Sequence, residues 1–69
     1  MSDHVYKSIE ITGTSQESFG HAVENAVARA SKTIDNLRWF QVIDTRGSIE
    51  DGKINRWQVT AKLGFTMKE

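Results

Sequence analysis

One stretch constrains this chain more than any other: Leu37-Arg38-Trp39-Phe40-Gln41-Val42-Ile43-Asp44-Thr45-Arg46-Gly47. It is dense in β-branched and aromatic residues, which suit the pleated surface of a sheet, so it reads as a strand. Side chains alternate along a strand. Here both faces are apolar, with Leu37, Trp39 and Ile43 on one and Phe40 and Val42 on the other. A small sheet covered by one helix has use for a single apolar face. The second needs cover from elsewhere, and the rest of the chain must say what covers Trp39.

Size sharpens the question. The chain has 69 residues, which reads as one domain over 1–69. A chain this short buries only about 60% of its unfolded surface, so small domains lean on disulfides, metals or self-association. Cysteine is absent, which removes disulfides and thiolate zinc sites. His4 and His21 lie far apart without ligand-like spacing, which argues against a structural metal. Self-association is the staple that remains. Nine basic and nine acidic residues cancel, with no block of like charge. That argues against nucleic acid or an anionic membrane as the partner. No apolar run approaches membrane-spanning length, and Met1-Ser2-Asp3-His4 lacks the pattern of a signal peptide. A cytoplasmic protein is the expectation.

In chain order, Val5 to Thr12 alternates as a first strand, with Val5, Ile9 and Ile11 on one side and Tyr6, Ser8, Glu10 and Thr12 on the other. Gly13 is expected to break it. Thr14-Ser15-Gln16-Glu17 matches a capping box. The apolar residues Phe19, Ala22, Val23, Ala26, Val27, Ala30 and Ile34 then recur at helical spacing. A helix of about five turns is predicted from Ser15 to Ile34, ended by Asp35-Asn36. Its alanines allow a close approach to a sheet. The second strand runs from Leu37 to about Ile49. Asp51-Gly52 then signals a two-residue hairpin, because a type I′ turn needs positive φ at both central positions. The third strand runs from Ile54 to about Met67. Its odd positions are apolar and its even ones polar through Lys68, Gly64 apart.

The fold class is therefore α+β, ordered β-α-β-β: a three-stranded antiparallel sheet packed on one helix, third strand central and second at an edge. A long edge strand with two apolar faces invites association. With Asp51-Gly52 as the turn, a regular hairpin opposes Phe40 to Leu63 and Val42 to Ala61, both towards the helix. On the outer face it opposes Trp39 to Gly64, Gln41 to Lys62, Ile43 to Thr60 and Thr45 to Gln58. The outer face then carries Trp39, Gln41, Thr45, Gln58 and Lys62, and Gly64 leaves room beside the indole.

Trp39 has two readings: an anchor in an oligomer interface, or a platform on which a planar ligand stacks. Gln58 is a solvated strand residue or an amide for the edge of a heteroaromatic ring. Arg46 is a surface charge or a planar fork for phosphate. In the regular register it faces away from Gln58, and a bulge near Gly47 would turn it. His21 reads as a solvated helix residue. The sequence offers no nucleophile–base pair, paired carboxylates or phosphate loop, so nothing in it proposes catalysis.

Several stretches together resemble the dodecin family: Val5-Tyr6-Lys7, Glu10-Ile11-Thr12-Gly13-Thr14-Ser15, Leu37-Arg38-Trp39-Phe40, Arg46-Gly47, Trp57-Gln58-Val59 and Leu63-Gly64-Phe65. The resemblance covers nearly the whole chain. It implies a hollow homododecamer of β-α-β-β subunits that stores flavins and is not an enzyme. It implies stacked flavin pairs at a two-fold axis between the tryptophans of two subunits, with excited flavin quenched by stacking. By the resemblance Trp39 stacks, Gln58 meets the isoalloxazine edge, and Arg46 makes phosphate or assembly contacts; Thr45 and Gln41, on the same outer face in the regular register, are the further candidates for the ligand's surroundings. Flavin mononucleotide (FMN) is the implied ligand, with riboflavin and FAD as the other flavins. Two other readings stay open: a structural homo-oligomer without ligand, and a carrier of coenzyme A or another nucleotide. Trp39 and Gln58 lie about 20 Å apart along the sheet. One site should therefore draw them from different chains, unless a bulge shifts the register.

Overall fold

Thr14 and Ser15, expected to open the helix, extend the first strand instead. The structure is a computed structural model that describes residues 3–67. Met1 and Ser2 of the expected leaderless N-terminus, and Lys68 of the third-strand pattern, lie outside the described residues. The elements are β1 (Tyr6–Ser15), α1 (Phe19–Ala30), β2 (Leu37–Glu50) and β3 (Lys53–Thr66). They form the antiparallel order β1-β3-β2, with β3 central as the pattern predicts.

Gly13 does not break β1; it lets the helix close on it. A Cβ at Gly13 would strike the Ala22 carbonyl oxygen and lie 2.9 Å from the Ala26 Cβ. The buried alanines Ala22, Ala26 and Ala30 form the face of α1 turned to the sheet. The capping box at Thr14 is not used. Ser18 caps the helix, its Oγ accepting the His21 N–H at 3.0 Å. The helix is 12 residues long, shorter than its apolar stripe suggests. Ile34 no longer belongs to it, although the Ile34 N–H still donates to the Ala30 carbonyl at 2.9 Å. Asn36, at φ 65°, turns the chain into β2.

The hairpin turn is as expected, with Asp51 at φ 53° and Gly52 at φ 75°. The register is not regular. Trp39↔Gly64, Phe40↔Leu63, Gln41↔Lys62 and Val42↔Ala61 pair as predicted. Ile43 is then an extra residue, and Asp44 takes its place opposite Thr60. Thr45 thus opposes Val59, and Arg46 opposes Gln58. The step closes again between Ser48 and Ile49, and a further irregularity at Arg38 sets Leu37 opposite Phe65. A bulge inserts one residue and swaps the faces of all that follow. Leu37 accordingly packs against the core rather than beside Trp39.

That core is small. Its buried apolar members are Ala22, Ala26, Ala30, Val59, Ala61 and Leu63. The helix packs on β1 and, less extensively, on β3, while β2 is held through β3. Phe40 and Val42 face the helix side as expected, yet they are not buried in a core of the chain's own. They stay 55% and 43% exposed, because α1 is short and displaced towards β1. A groove of about 930 Å³ opens there, with Phe19, Val23, Val27, Phe40, Val42 and Val59 among its walls. The hairpin also carries Ile49 and Ile54 at its far end, 77% and 62% exposed. The chain measures 56 × 20 × 14 Å with a radius of gyration of 14.4 Å, against about 11 Å for a compact chain of this length. So elongated a subunit, with apolar side chains on both faces of an edge strand, has the surface of an assembling one.

Candidate functional site

The face of the sheet turned away from α1 is polar along most of its length and aromatic at one end. Trp39 lies there across Gly64. A Cβ on Gly64 would run into the indole at Cε2 and Cζ2 and come within 2.6 Å of Cδ2, so the bond shared by the two rings sits over the glycine. The room expected beside the indole is thus filled by the indole. Tyr6, on the same face of β1, has its ring centroid 6.0 Å from that of Trp39 at an interplanar angle of 72°. Trp39 remains 37% exposed. With one face on Gly64, the other is left for a partner. A bedded indole with a free face suits offset stacking by a flat heteroaromatic ring.

Further along this face the bulge decides the company of Gln58. Arg46, not Thr45, stands opposite it, and Thr14 flanks it on β1. The Arg46 guanidinium pairs with Asp44 at 2.9 Å through both Nε and a terminal nitrogen. The two side chains are 67% and 44% exposed, so the pair is weak and can be exchanged for a stronger acceptor. Gln41 stands beside Lys62, which has Glu10 on its other side. Thr12 and Thr60 join hydroxyls at 2.9 Å between these positions. Thr45 falls on the helix side, on the wall of the apolar groove, and does not meet the other candidates. Trp39 and Gln58 stay apart: the partner of Trp39, Gly64, is six positions from Gln58 on β3. That is about 20 Å, and the bulge in β2 leaves it unchanged. One chain gathers Arg46 with Gln58 and Trp39 with Gly64 and Tyr6, as two separate half-sites.

Sequence reading missed one cluster. His21 Nδ1 lies 2.9 Å from Ser15 Oγ and 3.3 Å from Glu17 Oε2, so His21 is not simply solvated. Ser15 Oγ also accepts the Glu17 N–H at 2.9 Å. The composition suggests a hydrolytic triad, but the geometry does not. Such a triad places the acid and the nucleophile on opposite ring nitrogens, whereas both partners here share Nδ1. Ser15 is also only 5% exposed. The cluster ties the end of β1 to the start of α1. Its sequence signal was the Ser–Glu–His spacing that the capping box absorbed. Trp57 strengthens the same corner, packing on Phe19 at 5.4 Å and donating its Nε1–H to the Glu17 carbonyl at 3.4 Å.

Taken together, the β-α-β-β subunit and the aromatic half-site on the open face of its sheet have the form of a small binding protein. The sequence profile described as Dodecin matches residues 5–68. The solved dodecin of Streptomyces coelicolor is 51% identical with a TM-score of 0.93, covering 100% of this chain and 99% of its own. Dodecin from Streptomyces davaonensis is 47% identical at a TM-score of 0.93, covering 99% and 100%. Dodecin of Thermus thermophilus is 42% identical over 65 residues, 94% of each chain. The chain belongs to the dodecin family. Dodecins are non-enzymatic proteins that generally bind flavins and form homo-oligomers. Among the described residues no helix is long and apolar enough to cross a membrane.

Proposed function

We propose that this chain, as a single domain spanning residues 1–69, is a cytoplasmic flavin store. It holds FMN as stacked pairs between the Trp39 side chains of neighbouring subunits in a homododecamer and quenches the excited flavin. The observation that carries this reading is the Trp39 indole bedded on Gly64 with its other face free. Two such faces, brought together by an assembly, form the walls of a slot for planar rings. The residues fit the ligand. The Gln58 amide supplies donors and an acceptor for a ring edge, and the Arg46 fork can leave Asp44 for a phosphate. Their separation from Trp39 assigns them to a different copy around the slot. Gln41 lies nearer to Trp39 and lines the same face. Thr45 joins the interface between copies rather than the ligand's surroundings.

The flavin supplies the photochemistry, while the chain's own residues stack, orient and shield. The uncovered groove beside Phe40 and Val42 supports assembly whether or not a ligand is present, and so keeps the structural reading as the alternative. A titration of flavin fluorescence separates them. FMN is expected to be quenched on adding the assembled protein, and Trp39→Ala is expected to leave it fluorescent. An assembly that leaves FMN fluorescent overturns flavin storage in favour of a structural role. Coenzyme A retained in preference to FMN overturns it in favour of a nucleotide carrier.

A further inference from the structure

The indole of Trp39 is held at two places, and only one of them is on its own hairpin. Gly64 is a floor beneath the fused bond of the two rings. The second contact comes from β1. Tyr6 pairs with Thr66, one step along the same face from Gly64 and its partner Ser8. Its ring stands at 72° to the indole with centroids 6.0 Å apart, the edge-on arrangement that aromatic quadrupoles favour. His4 in turn stacks on Tyr6, its ring centroid 6.3 Å away at 29°.

We infer that Tyr6 is a positioning residue: its ring holds the Trp39 indole flat on Gly64 and so sets the plane on which a ligand stacks. This rests on the flavin-binding reading for its ligand, but the clamp is a property of the unliganded chain. Tyr6 is 46% exposed and carries none of the buried core, so its ring is not needed for the packing of α1 on the sheet. The hydroxyl plays no part in the clamp; the ring does. A phenyl group therefore suffices, and an aliphatic side chain does not.

The test compares Tyr6→Phe, Tyr6→Ala and Tyr6→Leu in the full chain, the last keeping apolar bulk should the alanine variant assemble poorly. The near-ultraviolet circular dichroism of the flavin-free protein reads Trp39 against a constant contribution from Trp57, and FMN titration reads the slot. Tyr6→Ala and Tyr6→Leu are expected to lose the Trp39 band and to bind FMN about three- to tenfold more weakly, the range expected for one aromatic pair. Tyr6→Phe is expected to keep both. A Trp39 band that survives in Tyr6→Ala and Tyr6→Leu overturns the clamp whatever FMN does. A lost band with unchanged FMN affinity overturns its role in presenting the slot. Failure of the unmodified protein to bind FMN sinks the storage reading instead, while the dichroism still decides the clamp.

Discussion

The two tryptophans have similar local settings and opposite fates. Each stands opposite a glycine across the β2–β3 ladder: Trp39 faces Gly64, and Trp57 faces Gly47. Each has a second aromatic beside it, Tyr6 at 6.0 Å and Phe19 at 5.4 Å. Trp57, on the helix side, spends its Nε1–H on the Glu17 carbonyl and closes the corner between β1 and α1. Trp39, on the other side, has a glycine beneath it and no helix above. A large aromatic with its polar edge satisfied within its own chain is a structural element. One with a free face is left available for a further aromatic to stack on. Which of the two a tryptophan becomes depends on the face it occupies, and the strand register settles that.

The largest expected effect separates these roles. With both walls of the slot truncated, Trp39→Ala should weaken FMN binding about a hundredfold or more, since each stacked aromatic contributes about 1–3 kcal/mol. Its melting temperature should stay close to that of the unmodified protein. Trp57→Ala should do the reverse. Loss of a half-buried indole costs about 2 kcal/mol, which for a domain of this size lowers the melting temperature by about 10 °C. FMN affinity of the folded fraction should be unchanged. Equal effects of the two variants on FMN affinity would erase the distinction.

Smaller changes probe how each role is built. Gly64→Ala puts a methyl group where the indole now lies. The resulting strain of about 1–3 kcal/mol should appear as about tenfold weaker FMN binding, with a shifted Trp39 band. Gly64→Ala binding that matches the unmodified protein would mean the floor is dispensable. Removing Ile43 should take the step out of β2 and leave Arg46 opposite Gln58, because Val42 and Asp44 on either side of it already pair with the successive residues Ala61 and Thr60. Cross-strand nuclear Overhauser contacts from Arg46 to Gln58 should persist, and their replacement by contacts from Thr45 would show that Ile43 holds the register. The smallest effect is expected from Arg46→Ala. It should cost about fivefold in FMN affinity, the net scale of one ordinary hydrogen bond, and leave riboflavin binding unaltered. Equal losses for both flavins would remove the phosphate role of Arg46.

Much of this was legible in the order of residues. Alternation marked three strands, Asp51-Gly52 named its own turn through the φ values it tolerates, and the alanine stripe announced a helix that lies close to a sheet. The pairing of Trp39 with Gly64 followed from counting back from that turn, because no irregularity that changes the count at Trp39 survives between them: the steps at Asn55 and Ile43 cancel. Trp39, Gly64, Gln41 and Lys62 were therefore placed correctly. Thr45 and Arg46 were not, because they lie between the two irregularities. The helix start was misplaced for a different reason. Thr14-Ser15-Gln16-Glu17 and Ser18 both offer caps, and the pairing of Ser15 with Trp57 holds the first of them in the strand.

By itself, then, the sequence determined what is local or periodic: the elements, the hairpin turn, the antiparallel order and the tryptophan opposite a glycine. Those depend on torsional preference and on alternation, which are carried by neighbours in the chain. Tertiary structure alone decided the rest. One inserted residue at Ile43 turned Arg46 to the side of Gln58, since a bulge's place is set by the strand it pairs with. The close seat of α1 over Gly13 drew the helix towards β1 and left Phe40 and Val42 open to a further copy. The indole over Gly64 met Tyr6 from a strand far away in sequence, a contact that only the folded sheet brings within reach.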